Sequence, residues 1–200
     1  MRVETQIRES EQLIRWLDSN IDGIDIPSND RTRLAAGCLD IALEHQKSIV
    51  LLTANSLFGS AAALVRLEFE AYVRGIWLLY CATESELEQF KKDELGKKFG
   101  ELIKDIEKHE AFNVGTLSHV KNTSWKAMNS FTHSGFYQVV RRNKTDEIAP
   151  NYTDEELVDA LDTANSFGIL TAIAIADMGR NEKLAHAVFE RGKRFFENEP

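Results

Sequence analysis

Hydrophobic residues recur at a helical spacing along nearly the whole chain. Apolar positions three and four residues apart predict amphipathic helices, whereas the every-second-residue alternation of a half-buried strand is not found. The predicted helices cover roughly 7–17, 28–54, 60–82, a short segment that begins after Thr83, 97–110, 116–133, 153–178 and a last segment after 181. The pattern therefore predicts an all-α, single-domain bundle of about seven to eight helices with no sheet.

Polar residues mark where several of these helices begin. Thr83 with Glu86 and Thr153 with Glu156 are capping boxes, Ser28 is placed to cap the second helix, and Asn181 to cap the last. A non-periodic segment of mixed charge over 141–152 is predicted to be a loop. The single domain, 1–200, is thus divided into an N-terminal helix and linker (1–26), a main bundle (27–180) and a C-terminal helix (181–200).

The segment 60–82 is apolar on most sides, which is typical of a helix at the centre of a bundle. A short connection makes the second helix its expected antiparallel partner. The segment Ile169 to Ala176 is similarly apolar, and it predicts either a third inner wall or the surface of a dimer.

Three charged residues interrupt the central helix on one narrow stripe, because Arg66, Glu70 and Arg74 are four residues apart. Burying charges is costly unless they are paired. The stripe therefore either faces a polar cleft or forms a closed ion network in which Glu70 pairs with both arginines.

A second stripe lies on the helix 116–133, where Trp125, Asn129 and His133 share a face. His133 lies at the helix end, where its imidazole could reach a cleft and act as a general acid or base, with Asn129 orienting it. The alternative is a structural histidine bonded to backbone carbonyls, with Trp125 in the core.

The segments 66–74 (RLEFEAYVR) and 125–135 (WKAMNSFTHSG) resemble a group of uncharacterised bacterial helical families with an Arg-x-x-x-Glu helix and a later Thr-His-x-Gly element. These are similar in turn to the abortive-infection AbiV proteins and more distantly to HEPN domains. The resemblance spans roughly residues 30–180, and it implies a helical domain, often dimeric, sometimes linked to phage defence or toxin–antitoxin systems. HEPN ribonucleases carry an arginine four to six residues before the histidine. This sequence does not, so Arg66 would have to supply that cation from the neighbouring helix.

The charge is distributed unevenly along the chain. The net charge is −8, but residues 91–144 hold eleven Lys and Arg against six Asp and Glu, a local +5 that could meet an anionic partner. The candidate RNA-binding residues there are Lys121, Lys126, Arg141 and Arg142.

No phosphate-binding loop, dinucleotide motif or metal-ligand spacing occurs, so no cofactor or metal is expected. Cys38 and Cys81 are expected to be reduced, and the chain to be cytoplasmic and without a membrane span.

These observations leave three functional interpretations open. The first is an interaction or sensor module, a homodimer that binds a protein partner or RNA in phage defence or a toxin–antitoxin system. The second is a metal-independent endoribonuclease, in which His133 is the general base, Asn129 orients it, Arg66 or Arg74 stabilises the phosphorane and Glu70 holds the arginines. The third is a pocket for a small anion, lined by Trp77, Tyr80 and Trp125 beside the arginines.

Overall fold

Nine α-helices and one short 3₁₀ helix make up residues 2–197, the part of the chain that the computed structural model describes. Met1 and residues 198–200 of the predicted C-terminal helix lie outside this part. The helices are α1 (Arg2–Ile21), α2 (Asp30–Ala54), α3 (Phe58–Tyr80), α4 (Glu84–Lys91), α5 (Phe99–Ile106), α6 (Thr116–Thr132), α7 (Phe136–Val140), α8 (Asp154–Met178) and α9 (Glu182–Glu197), with the 3₁₀ helix at Glu110–Phe112. Among residues 2–197 there is no strand, only an isolated bridge between Asn143 and Ile148. The all-α prediction is confirmed.

The predicted count of seven to eight helices was too low, because α7 follows α6 after a three-residue turn and is only five residues long. A segment of that length is too short to display a helical period. Ser28 was also wrong as the cap of α2. Asn29 is the cap, since its side chain accepts from the Thr32 backbone N–H at 3.0 Å while Thr32 Oγ1 accepts from the Asn29 N–H.

The other three predicted caps are confirmed. Thr83 and Glu86 form a reciprocal capping box at α4, and Thr153 and Glu156 form another at α8. The Asn181 side chain accepts from the backbone N–H of Leu184 at 3.1 Å in the first turn of α9. Each side chain satisfies an amide that the helix itself leaves unpaired.

Helix α3 is the central element, as its apolar composition predicts, and it packs against α2, α5, α6 and α8. Phe69 and Trp77 are almost completely buried in it. The antiparallel contact with α2 is close because position 75 is glycine. A Cβ atom there would lie 2.8 Å from the Leu39 side chain.

Helix α8 forms the third inner wall of the bundle. Its buried residues Ile169, Ala172 and Ala176 pack against α1 and α9, which leaves that face covered within one chain. The alternative of a dimer surface on this face is therefore wrong. By length and composition α8 could also cross a membrane, but most of its apolar side chains lie in the core. Phe189 of α9 is 56% exposed.

A buried polar chain crosses three helices beside this wall. Gln46 of α2 donates to Asn165 of α8 at 3.2 Å, and Asn165 donates to Ser10 of α1 at 2.7 Å. All three side chains are buried. Gly168 leaves the space that Gln46 fills, since a Cβ atom at 168 would lie 2.2 Å from the Gln46 amide. These hydrogen bonds fix the relative register of the three helices.

Candidate functional site

The guanidinium of Arg66 joins the two stripes that the sequence predicts on α3 and α6. Its Nη1 donates to Asn129 Oδ1 at 2.8 Å and lies 2.9 Å from His133 Nε2. Its Nε donates to Glu70 Oε1 at 2.8 Å. Asn129 and His133, which lie 63 and 67 positions after Arg66 in the chain, thus both contact the Arg66 side chain.

The indole of Trp125 forms the floor of this arrangement. The Arg66 Cζ atom lies 4.5 Å from the centre of the Trp125 ring, a cation–π distance. On α5, Phe99 stacks on the same indole with centroids 4.9 Å apart and planes 16° apart. Trp125 is half-buried between the Arg66 cation and the Phe99 ring. It therefore belongs in part to the face that it shares with His133 and in part to the core, the two alternatives expected for it.

Glu70 holds both arginines of the α3 stripe, as the spacing predicts. Its second oxygen, Oε2, accepts from Arg74 Nη1 at 2.9 Å. The Glu70 and Arg66 side chains are 12% and 16% exposed, whereas Arg74 is 40% exposed. The ion network is therefore closed at Glu70 and open to solvent at Arg74. Two guanidinium groups against one carboxylate leave an excess positive charge.

His133 caps the C-terminal end of α6, and its side chain is exposed. One expected alternative was a structural histidine whose ring is bonded to backbone carbonyls. This is not the case for Nε2, because that atom faces Arg66. A guanidinium has no lone pair to accept with, so Arg66 donates and Nε2 accepts.

The turn after α6 sets the direction of His133. Ser134 adopts a left-handed conformation with φ +53°. Gly135 packs against Ser130, where a Cβ atom at 135 would lie 2.5 Å from the hydroxyl. Thr132 donates to the Ala63 carbonyl of α3 at 3.2 Å. This contact ties α6 to α3 beside the site, and the sequence analysis did not find it.

The four candidate RNA-binding residues do not form one cluster. Lys121 lies beside the site, with Nζ 5.9 Å from the Trp125 ring centre. Lys126 lies 6.0 Å from the Tyr137 ring centre, and Arg142 lines a cavity together with Ser134. Arg141 is bonded to Glu156, with Nε to Oε1 at 2.7 Å, so its charge is largely neutralised.

The predicted pocket of Trp77, Tyr80 and Trp125 is wrong. Trp77 is 1% exposed, and its indole N–H points at Asp105 Oδ2, 3.4 Å away. Tyr80 lines a separate cleft at the end of α3 that contains neither tryptophan. Within residues 2–197, no three His, Cys, Asp or Glu side chains are grouped to hold a metal ion.

One buried charged residue was missed as a structural feature. Glu68 of α3 is 0% exposed, and neither carboxylate oxygen has a hydrogen-bond partner among residues 2–197. Burial raises the pKa of Glu68 well above its usual value of 4.5. Glu68 lies outside the stripe that its neighbours at positions 66, 70 and 74 form.

The fold and the site define a helical bundle with a cationic arginine–histidine surface between its central helix and α6. Residues 39–199 match DUF6988, a family of unknown function, and the chain belongs to this family. No curated protein and no solved structure matches the chain. The matched region contains both sequence segments on which the AbiV and HEPN resemblance rests, and that resemblance stays a prediction.

Proposed function

We propose that the protein is a non-enzymatic interaction module that binds single-stranded RNA at the Arg66 surface, defined here as Arg66, Arg74, Lys121 and His133. The observation that carries the proposal is how Arg66 is held. Glu70, Asn129, His133 and the Trp125 ring fix its guanidinium through Nε, Nη1 and one face. Within residues 2–197 its Nη2 makes no hydrogen bond, which leaves that nitrogen's N–H groups for a phosphate oxygen.

The charge around Arg66 supports an anionic partner. Arg74 is partly exposed, and Lys121 lies next to the same indole. Glu70 neutralises one of these three cations, so a net positive charge faces solvent. A charge-assisted hydrogen bond from Nη2 of Arg66 suits a phosphate oxygen.

Exposed aromatic rings beside the surface favour a single strand. Phe136, three residues after His133, is 76% exposed, and Tyr137 is also exposed beside Lys126. Unpaired bases stack on such rings, whereas the bases of a duplex are covered by their neighbours. The pair of Lys126 and Tyr137, together with the exposed Phe136 ring, therefore suits a flexible nucleotide chain.

The contact at His133 favours binding over cleavage. A general base needs a free lone pair to take the proton from the ribose hydroxyl. The Nε2 lone pair accepts from Arg66 instead, so His133 orients the arginine and would have to leave it before acting as a base.

Fluorescence anisotropy with a labelled single-stranded RNA tests the proposal. Arg66→Gln is expected to weaken binding about ten-fold or more, since hydrogen bonds to charged groups contribute roughly 1.5–3 kcal/mol. Lys121→Gln, which leaves the Glu70 network intact, is expected to lower the slope of log affinity against log salt by about one. The matched control is Arg15→Gln, an exposed arginine of α1. RNA affinity that is equal in all four proteins would overturn the proposal.

A metal-independent ribonuclease is the second candidate, and the close approach of Arg66 to His133 favours it, because the reaction needs an imidazole next to a cation. His133 would accept the ribose hydroxyl proton while Arg66 or Arg74 stabilises the phosphorane. Incubation of RNA with wild type and His133→Ala in EDTA tests it. Cleavage by wild type alone supports the nuclease, and intact RNA with both proteins excludes it under those conditions.

A role in phage defence or a toxin–antitoxin system and the expected homodimer are also proposals. Since the face of α8 is covered, a dimer would need another surface. The molar mass from light scattering tests the dimer, because a monomer at all concentrations would contradict it.

A further inference from the structure

We infer that the protein has a second binding site, at the C-terminal end of α3, for a small organic cation of the alkylammonium class. The site is a cleft of about 610 Å³ between α3, the 3₁₀ helix, α8 and the start of α9. Its volume lies within the roughly 300–1,000 Å³ of small-molecule sites. The inference is independent of RNA binding, since none of the cleft residues belongs to the Arg66 surface.

Aromatic rings line the cleft around Tyr80. The Tyr80 ring centre lies 6.0 Å from that of Phe112 and 6.4 Å from that of His109. Tyr72, two turns earlier on α3, lines the same cleft and is almost completely buried. Tyrosine and phenylalanine rings carry a negative face, which attracts an ammonium group within about 6 Å.

The charged residues of the cleft are also suited to a cation. Glu110 and Asp177 are its two carboxylates, both exposed, and its lining includes no lysine or arginine among the described residues. The Tyr80 hydroxyl donates to Asp177, which fixes this carboxylate beside the ring. A carboxylate next to several aromatic faces favours a positive charge and disfavours an anion.

The remaining lining selects the size and apolar character of the ligand. Leu170, Ile173 and Ala174 of α8 supply an apolar wall, and Ala185 of α9 closes one side. An inorganic cation would gain nothing from these contacts, whereas the methyl or alkyl groups of an ammonium ion would bury apolar surface there. Because four elements surround the cleft, a free small molecule suits it better than a side chain on a protein surface.

Calorimetric titration of the purified protein with choline tests the assignment. The comparison ligand is the neutral isostere in which carbon replaces the quaternary nitrogen, and a lysine-containing peptide represents a protein partner. We expect choline to bind about ten-fold more tightly than the isostere, and Phe112→Leu and Asp177→Asn each to weaken choline binding several-fold. Asp146→Asn, in the exposed loop, is the matched control, and circular dichroism shows whether each variant folds.

Three results would overturn the assignment. Equal affinity for choline and its neutral isostere would show that the cleft does not recognise the positive charge. Choline binding that both cleft variants leave unchanged would place the site elsewhere. Peptide binding without choline binding would assign the cleft to a protein partner instead of a small molecule. RNA affinity measured on the same variants should not change.

Discussion

Glu68 gives the sharpest stability prediction, because a carboxyl group without exposure or a hydrogen-bond partner must stay protonated in the folded protein. In the unfolded chain the same group is solvated and ionises near its usual pKa. Desolvation by burial raises the pKa in the folded state. Glu68→Gln keeps the size and polarity of the side chain but cannot ionise, and it therefore isolates the effect of the charge.

The sign and size follow from proton linkage. Below about pH 4.5 both states hold the proton, and the carboxyl group adds no pH dependence. As the pH rises above this value the unfolded state loses its proton first, so the free energy of unfolding falls by about 1.4 kcal/mol for each pH unit until the folded-state pKa is reached. Wild type should therefore lose stability relative to Glu68→Gln over this window.

Urea denaturation followed by circular dichroism, at several pH values between 4 and 9, measures this difference. The advantage of Glu68→Gln over wild type should grow with pH, and Glu68→Met should be about 1–3 kcal/mol more stable than Glu68→Gln at every pH because it removes the unpaired polar atoms. Glu44→Gln, on the exposed side of α2, is the matched control and should follow wild type. A constant difference between wild type and Glu68→Gln from pH 5 to pH 8 would refute the buried, protonated carboxyl.

Two further predictions concern packing and a surface ion network. Gly168→Ala should cost about 1–3 kcal/mol, since its Cβ atom would displace Gln46 from the buried polar chain. At Gly37 nothing lies within 4 Å of an added Cβ atom, so Gly37→Ala should stabilise the protein by up to about 1 kcal/mol in the same denaturation assay. A Gly168→Ala protein that is more stable than Gly37→Ala would contradict the packing. Hydrogen bonds from Lys108, and to a smaller extent from Lys97, lower the pKa of Asp105 to about 2. The stability that these bonds provide is therefore present above about pH 4 and is lost as the pH falls toward 2. A carboxyl NMR titration of Asp105 should show a midpoint near pH 2, and a midpoint near 3.8 would contradict the network.

The helical architecture could be predicted because burial imposes a period on the sequence. Helices α2, α3 and α8 are long enough for their apolar positions to repeat several times, and capping side chains mark the starts of α2 and α8. Helix α7 has no such repeat, and most of its side chains are exposed. The cap at Asn29 was missed because Ser28 is an equally good capping residue by type, and the sequence does not show that the Asn29 side chain accepts from the Thr32 N–H.

The composition of the candidate site could be predicted, but its assembly could not. Helical spacing places Arg66 with Glu70, and Asn129 with His133, on shared faces of their own helices. Nothing in that spacing determines which helices are neighbours, or how α6 is rotated against α3. The contact between Arg66 and His133 depends on both, and on the turn at Ser134.

Glu68 was missed for a related reason. It lies between Arg66 and Glu70 in the chain, and charged residues in an apolar helix are expected to share the solvent-facing or paired side. Its position two turns before Gly75 places it instead on the face that packs against α2. The seven-residue spacing between Glu68 and Gly75 can be read from the sequence. It indicates that Glu68 is buried only when the position of α2 beside Gly75 is known.

The most direct test of the Arg66 surface uses the three tryptophans of the chain as internal probes. Trp125 lies under Arg66, whereas Trp77 is buried near Asp105 and Trp16 is on α1. In an NMR titration with single-stranded RNA, the indole N–H signal of Trp125 and the Nε–H signal of Arg66 should shift together and saturably, while those of Trp16 and Trp77 stay in place. RNA binding that leaves the Trp125 and Arg66 signals unchanged would contradict the proposed surface.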